Sequence, residues 1–250
     1  IALVFLAIAV FHFLPEMQES ILGVIDLPLR KAPEGLSGLP FAKGMPSFVG
    51  YIFVTGLVLF PFGFFSSSVK EQGFDSNLPL ESMYFVSLAI LIVSLFLLYF
   101  YRDPKRIIES GIVSPADGLV QRAEIKKGMV YFSIFMNVHN VHVNRSPFDG
   151  RVISIKHKSG GYLPAFSKDS DKNERLLTKI ETSIGVMKVI QIAGVLVRRI
   201  VSYVKPNSEV VKGERIGLIH FGSRVDLSFE SAGIDISVKK GDKVLAGQKL

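Results

Sequence analysis

Two kinds of hydrophobic pattern divide the chain near residue 106. On the N-terminal side, Phe48 to Phe65 is uncharged and rich in aromatic residues, and Met83 to Tyr101 is uncharged with tyrosines towards both ends. The second run is long enough to cross about 30 Å of hydrocarbon, with its tyrosines at the interfaces. The pattern predicts membrane-spanning helices near 48–65 and 83–101, with a buried core helix as the alternative for 83–101.

The first segment, Ile1 to Leu14, is apolar but shorter. It is typical either of the end of a cut span or of the core of a signal peptide, and both alternatives stay open. The basic cluster Arg102 to Arg106 follows the run 83–101 directly, and the positive-inside rule places such a cluster on the cytoplasmic side. We therefore predict a membrane region over residues 1–106, with the rest of the chain on the cytoplasmic side of the cell membrane.

From Gly111 onward, short apolar alternations separated by Gly, Pro, Asp and Asn predict many short strands. We expect a β-rich (α+β) domain over residues 107–250. The Ser-Pro-x-Asp-Gly pattern occurs twice, at Ser114 to Gly118 and Ser146 to Gly150, and is a turn signature. The patterns of residues 208–217 and 236–250 each predict a strand, a turn of Lys, Gly and an acidic residue, and a second strand. Such hairpins resemble the barrel-sandwich architecture of lipoyl and biotinyl carrier domains.

Composition narrows the classes of function. Hydrophobic residues make up 48% of the 250 residues, and the net charge is +7. A basic chain suits either nucleic acid or an anionic membrane surface, and the predicted spans favour the membrane over nucleic acid. The chain has no Cys, which excludes thiol catalysis, disulfides and cysteine-based metal sites.

Candidate chemistry centres on the bond between Gly222 and Ser223, which follows an apolar run. Glycine leaves its carbonyl unshielded beside the serine hydroxyl, which permits an internal attack that would cut the chain. A serine hydroxyl is a poor nucleophile alone and needs a base, usually a His that a carboxylate orients. An ordinary turn is the alternative for this dipeptide.

Candidate partners for Ser223 occur upstream. His139 and His142 lie in the segment Phe135 to Pro147, where the alternatives are a metal pair or structural histidines; the absence of Cys and of nearby acids disfavours metal. Asp117 lies in the first Ser-Pro-x-Asp-Gly turn, where most Asp residues serve the turn itself. Asp117, His142 and Ser223 nevertheless supply an acid, a base and a nucleophile in an order found among hydrolases.

From about Tyr99 to Asp226, the chain resembles the short form of the phosphatidylserine decarboxylases, which includes archaetidylserine decarboxylases. The matching segments cover about half of the chain in the family's order: FYRDPKR, SPADG, FMNVHNVHVNRSPFDG, KNERL, QIAGVLVRRIV and KGERIGLIHFGSRVDL. The long form is cut at Leu-Gly-Ser-Thr, whereas this chain has Phe-Gly-Ser-Arg, so no role of the threonine carries over.

The resemblance implies a self-processing lyase. Asp117 would hold His142, which deprotonates Ser223 so that its oxygen attacks the Gly222 carbonyl. The products are a β chain ending at Gly222 and an α chain whose first residue, formerly Ser223, is a covalent pyruvoyl group. That group would accept the electrons released when the serine phospholipid loses carbon dioxide, without an external cofactor. His139, or His142 after processing, would protonate the product carbon.

The resemblance also implies an anionic serine phospholipid as substrate and the membrane as partner; a homo-oligomer is left open. The apolar segment Gly161 to Phe166 is either a membrane-facing loop or a core turn. Two other classes remain as alternatives: a membrane-anchored carrier domain with its group on Lys188, within Val186 to Val189, and a membrane serine protease. Lys188 lies inside an apolar run, whereas carrier lysines lie in exposed turns.

Overall fold

The computed structural model describes residues 41–43, 45–46, 48–71, 80–161, 173–194, 199–221, 223–231 and 236–250. Residues 40–250 form one compact unit, which holds every helix and strand among the described residues. The predicted segment 1–14 and most of the loop 161–166 lie outside the described residues. The division into two domains at residue 106 stays a prediction.

In the described part of the chain, two helices precede the sheets: α1 spans Phe48–Glu71 and α2 spans Leu80–Phe100. They approach closely at Gly56, where a Cβ would lie 3.1 Å from the Cα of Leu91. The helical prediction for both apolar runs is confirmed. In the described part of the chain, however, no helix is both long enough and apolar enough to cross a membrane, so the predicted spans 48–65 and 83–101 are not supported.

The remainder is β-rich, as predicted. An eight-stranded antiparallel sheet has the order β11-β1-β2-β10-β6-β5-β4-β8, and a three-stranded sheet has the order β3-β9-β7. The strands are β1 Gly118–Lys126, β2 Met129–Met136, β3 Val143–Arg145, β4 Gly150–Lys158, β5 Arg175–Thr182, β6 Gly185–Ile192, β7 Ile200–Ser202, β8 Glu209–Val210, β9 Arg215–Ile219, β10 Ser223–Glu230 and β11 Lys243–Val244.

Alternation of side chains builds the main core. In β2, for example, every second residue is buried, which is the period expected of a strand with one face on a core. A second apolar cluster lies between the end of α2 and the three-stranded sheet, and it includes Phe100, Tyr101, Val141, Val143 and Leu218. The candidate site lies where these two clusters meet.

The repeated Ser-Pro-x-Asp-Gly pattern marks a structural duplication. Gly118 begins β1 and pairs with Val244, whereas Gly150 begins β4 and pairs with Val210. Each glycine allows a close approach of backbone, since a Cβ would lie 2.2 Å from a carbonyl oxygen in either case. The hairpins β1–β2 and β4–β5 also carry register shifts at equivalent positions. The two halves of the large sheet are thus equivalent in arrangement.

The predicted order of strand, turn and strand over 208–217 is confirmed by β8 and β9, but these strands do not form a hairpin, and the hairpin predicted over 236–250 was wrong. Strand β8 pairs with β4 and β9 pairs with β3 and β7, so the two strands that flank the first turn belong to different sheets. Near the C-terminus, β11 pairs with β1, and the described residues 236–239 form no strand. The Lys-Gly-acidic turns are present. The strands beside them pair with distant strands, β8 with β4 and β11 with β1, and not across the turn.

Candidate active site

Ser223 begins β10, where it pairs with Met136 at the end of β2. Its side chain is fully buried, and its Oγ lies 3.4 Å from the sulfur of Met136. A thioether is a weak hydrogen-bond acceptor, so the hydroxyl is held only weakly. Gly222, the other half of the predicted cleavage bond, lies outside the described residues.

The backbone just before the predicted cleavage bond is strained. Phe221 has φ of 41°, in the left-handed region that is unfavourable for a bulky side chain. Its ring stacks on Phe100 with 4.0 Å between the ring centroids. A strained residue therefore lies two positions before Ser223.

His142 is buried against the same aromatic group, with its ring centroid 4.3 Å from that of Phe100. Its Nδ1 lies 2.9 Å from the carbonyl oxygen of Asn140, and since a carbonyl can only accept, Nδ1 carries the proton of the neutral ring. The lone pair is therefore on Nε2, which is buried and has no hydrogen-bond partner among the described residues.

Burial lowers the pKa of His142 to about 3, although the bond to the Asn140 carbonyl opposes this shift. The nearby His220, Arg102 and His139 lower the pKa of His142 slightly further. The imidazole is therefore neutral at physiological pH. A neutral ring with a free Nε2 can accept a proton, which is what a general base requires.

Asp117 makes no hydrogen bond to His142 in this structure. Its Oδ2 binds Arg106, and its Oδ1 accepts the backbone N–H of Ala246 at 2.8 Å. In the other half of the duplication, Asp149 accepts the N–H of Lys212 at 2.7 Å in the same way. The backbone contact thus belongs to the turn, whereas the ion pair with Arg106 and the burial of its side chain distinguish Asp117 from the exposed Asp149. The hydrogen bond that orients His142 comes from a main-chain carbonyl, and the role of Asp117 in orienting His142 stays a prediction.

His139 is exposed, in the turn that leads to His142. Its carbonyl oxygen accepts a hydrogen bond from Arg102 at 2.7 Å, and Arg102 also donates to the carbonyl of Tyr99 at the end of α2. The turn is therefore attached to the helix. Arg106 pairs with Asp117, so the exposed charge of the basic cluster Arg102 to Arg106 comes from Lys105 and from the partly exposed Arg102.

Sequence reasoning missed His220, which lies three residues before Ser223 and is buried. Its Nδ1 lies 2.7 Å from the hydroxyl of Tyr101, and its Nε2 has no hydrogen-bond partner among the described residues. Burial raises the pKa of Tyr101, so the phenol keeps its proton, and burial lowers the pKa of His220 to about 4. The signal that could have found it is a His directly beside the Phe-Gly-Ser step.

It also missed a contact between two buried amides close to Ser223. Asn144 on β3 and Gln191 on β6 are joined by a hydrogen bond of 2.8 Å, and Asn144 approaches the same Met136 sulfur as Ser223 does. The residues belong to different sheets and lie far apart in sequence, so no local pattern reveals the contact.

The alternative of a carrier domain has no support from the geometry. Lys188 lies in the middle of β6, paired with Lys179 and with Ser228 on the neighbouring strands. A carrier lysine needs an exposed turn that can swing between active sites, and a central strand position does not provide this movement.

Comparison with known proteins shows the family of the chain. A model of the phosphatidylserine decarboxylase family matches residues 93–250. A protein of Methanococcoides burtonii, provisionally named an archaetidylserine decarboxylase proenzyme, is 51% identical over 161 residues, which are 63% of this chain and 75% of that protein. A phosphatidylserine decarboxylase proenzyme of Streptomyces avermitilis is 48% identical over 153 residues, which are 60% and 71% of the two chains.

Proposed function

Because the chain belongs to the phosphatidylserine decarboxylase family, we propose that it cuts itself between Gly222 and Ser223 and then decarboxylates a serine phospholipid. The substrate would be phosphatidylserine or archaetidylserine, and the product the corresponding ethanolamine lipid. The observation that carries the proposal is the neutral, buried His142, with a free Nε2, packed in the aromatic group that also holds strained Phe221.

Self-cleavage follows from these groups. His142 Nε2 takes the proton of Ser223 Oγ, and Oγ attacks the carbonyl carbon of Gly222. The peptide C–N bond breaks as its nitrogen takes up a proton, which leaves an ester. Removal of the Ser223 Cα proton then forms a Cα=Cβ double bond as the Cβ–Oγ bond breaks, and the Gly222 carboxylate leaves. Cβ takes up a proton, one water adds to Cα, ammonia leaves, and a keto group with a methyl carbon remains at the start of the α chain.

The surroundings of Ser223 fit a pyruvoyl group made from it. The residue is fully buried, and the neighbouring Met136 sulfur and Asn144 amide leave the side chain without a strong bond that would resist the conversion. When formed, the pyruvoyl group supplies the electron sink for decarboxylation. Strands β2 and β6 on either side of β10 would hold its chain in place. Exposed His139 is the proposed donor of the proton to the substrate carbon.

We further propose that the helical pair contacts the membrane in which the substrate lies. Small residues face inward in α1 and α2, where Gly56, Ser87 and Ser94 are buried. Large apolar side chains face outward instead, including Val58, Phe85 and Ile92, each more than half exposed. An exposed apolar surface of this kind suits a lipid phase. The proposed location is the cytoplasmic side of the cell membrane.

The test of the activity uses the full chain in vesicles that contain phosphatidylserine or archaetidylserine. Release of carbon dioxide by the wild-type chain, and none by Ser223→Ala, is the expected result. A Ser223→Ala chain as active as wild type would refute the proposed chemistry. Activity with one lipid only would identify the substrate.

A further inference from the structure

Two hydrogen-bond donors near the predicted cleavage bond are directed at one weak acceptor. Ser223 Oγ lies 3.4 Å and Asn144 Nδ2 lies 3.7 Å from the sulfur of Met136. All three side chains are fully buried. A buried amide N–H that faces only a thioether has most of its hydrogen-bonding capacity unused.

Gln191 sets the orientation of the Asn144 amide. Its Nε2 donates to Asn144 Oδ1 at 2.8 Å, which turns the nitrogen of Asn144 towards the sulfur. Gln191 in turn lies against Gly217 of β9, where a Cβ would be 2.8 Å from Gln191 Nε2 and 2.6 Å from the carbonyl oxygen of Val201. Only glycine at position 217 leaves room for this arrangement.

The duplication shows that packing alone does not require a polar residue at position 191. Gln191 lies opposite Leu176 on β5, and the equivalent residue of the other half, opposite Val130 on β2, is the buried Phe229. The Oε1 of Gln191 is buried and has no hydrogen-bond partner among the described residues. Burying such an oxygen reduces stability relative to an apolar side chain. A role other than packing therefore accounts for Gln191 better.

We propose that Asn144, held by Gln191, donates its Nδ2–H to Ser223 Oγ when that oxygen becomes negatively charged during self-cleavage. This inference rests on the proposed function. His142 Nε2 takes the Oγ proton, the charge moves to the Gly222 carbonyl oxygen as the C–O bond forms, and the departing nitrogen recovers the proton. An anionic oxygen is a far better acceptor than a thioether, so the Asn144 hydrogen bond strengthens as the charge appears. Gln191 acts as a positioning residue.

The test follows self-cleavage of the full chain during cell-free synthesis, by the loss of uncut chain with time. Asn144→Leu and Asn144→Asp, which lack the N–H, should cleave at least about ten-fold more slowly than wild type. Thr178→Val is the matched control: Thr178 is a buried polar residue on β5 whose equivalent in the other half is Phe132, and it should leave the rate unchanged.

Gln191→Glu separates a positioning role from a structural one. Because burial raises the pKa of a Glu, the variant is compared at about pH 9, where its carboxylate can only accept, so it turns the Asn144 amide over and slows cleavage. At acid pH the protonated carboxyl can donate again, and the rate should recover. The residues around position 191 that would face the new group, Leu176, Val225, Asn144 and Gly217, do not titrate.

The outcomes are distinguishable. A wild-type chain that stays uncut would refute the proposed function itself. If the wild-type chain cleaves and the Asn144 variants cleave as fast as Thr178→Val, the inference is overturned. A Gln191→Glu chain that cleaves equally slowly at every pH would also overturn it. Thermal unfolding of each variant in a Ser223→Ala background identifies any chain that is slow only because it is poorly folded.

Discussion

The Nδ1 of His142 donates to the carbonyl oxygen of Asn140 at 2.9 Å, within a turn that Arg102 attaches to the end of α2. The main chain thereby selects the tautomer that leaves Nε2 free. A backbone carbonyl cannot take up a proton at ordinary pH, so the orientation of the ring does not depend on the charge of a carboxylate.

The rate of self-cleavage should depend little on pH between about 8 and 5. Because burial lowers the pKa of His142 to about 3, the ring stays neutral and its Nε2 can accept a proton throughout this range. A His of ordinary pKa near 6.5 would lose most of its base form by pH 5. Cell-free time courses at several pH values measure this. A rate that falls below pH 6.5 in proportion to the neutral fraction of an ordinary His would show that the base has an ordinary pKa.

Stability should fall as the pH drops from about 6.5 towards 4. The pKa values of His142 and His220 are lowered to about 3 and about 4 in the folded chain, so in this window the unfolded chain binds more protons than the folded chain. The contribution of these two histidines to the free energy of unfolding is complete above pH 6.5. It is lost as the pH falls towards their pKa values in the folded chain. Urea unfolding of Ser223→Ala at pH 7.5 and 5 tests this; in Ser223→Ala with His142→Gln the fall should be smaller.

Replacement of His142 by Ala should slow self-cleavage by at least about 100-fold, since a general base contributes that much or more. His157 provides the control: it is on β4, half exposed, and hydrogen-bonded to Glu174 at 2.9 Å. His157→Ala should cleave at the wild-type rate. Equal rates for the two variants, measured by intact mass, would remove His142 from the mechanism.

Asp117→Asn should reduce stability by about 3 kcal/mol, because it leaves Arg106 without its buried partner. Asp149→Asn keeps the equivalent turn contact to the Lys212 N–H and should have little effect. If Asp117 acts only through the ion pair, Arg106→Gln will slow self-cleavage as much as Asp117→Asn does. Complete loss of cleavage in Asp117→Asn alone would instead support a direct role in orienting His142.

Strain at Phe221 should accelerate self-cleavage, since conversion of the neighbouring peptide bond to an ester can release it. Phe221→Gly removes both the strain and the ring that stacks on Phe100, whereas Phe221→Leu removes only the stacking. We expect the Gly variant to cleave about ten-fold more slowly than the Leu variant, which corresponds to about 1.4 kcal/mol. Equal rates would show that strain contributes nothing.

The sequence predicted those features that depend on local pattern. The apolar runs became α1 and α2, the alternating segments became strands, and the repeated Ser-Pro-x-Asp-Gly turns proved to be equivalent positions of a duplicated sheet. Strand partners were not predictable in this way. The turn at Gly213 lies between strands of two different sheets because β8 pairs with the distant β4.

The site shows the same division. Ser223 and His142 could be proposed from their residue types and from the family resemblance, and the structure buries both. The contacts of Asp117, His220 and Gln191 depend on residues about ten to more than a hundred positions away in the chain. Tertiary packing decides that Asp117 pairs with Arg106 and not with His142. The spacing of these residues along the sequence does not reveal this.

The most direct test is the intact mass of the purified wild-type chain, with Ser223→Ala as control. We predict two chains for wild type, one ending at Gly222 and one beginning at position 223 with the mass of a pyruvoyl group, and a single chain for Ser223→Ala. A single uncut wild-type chain that still decarboxylates the lipid would contradict the central claim that Ser223 becomes the catalytic group.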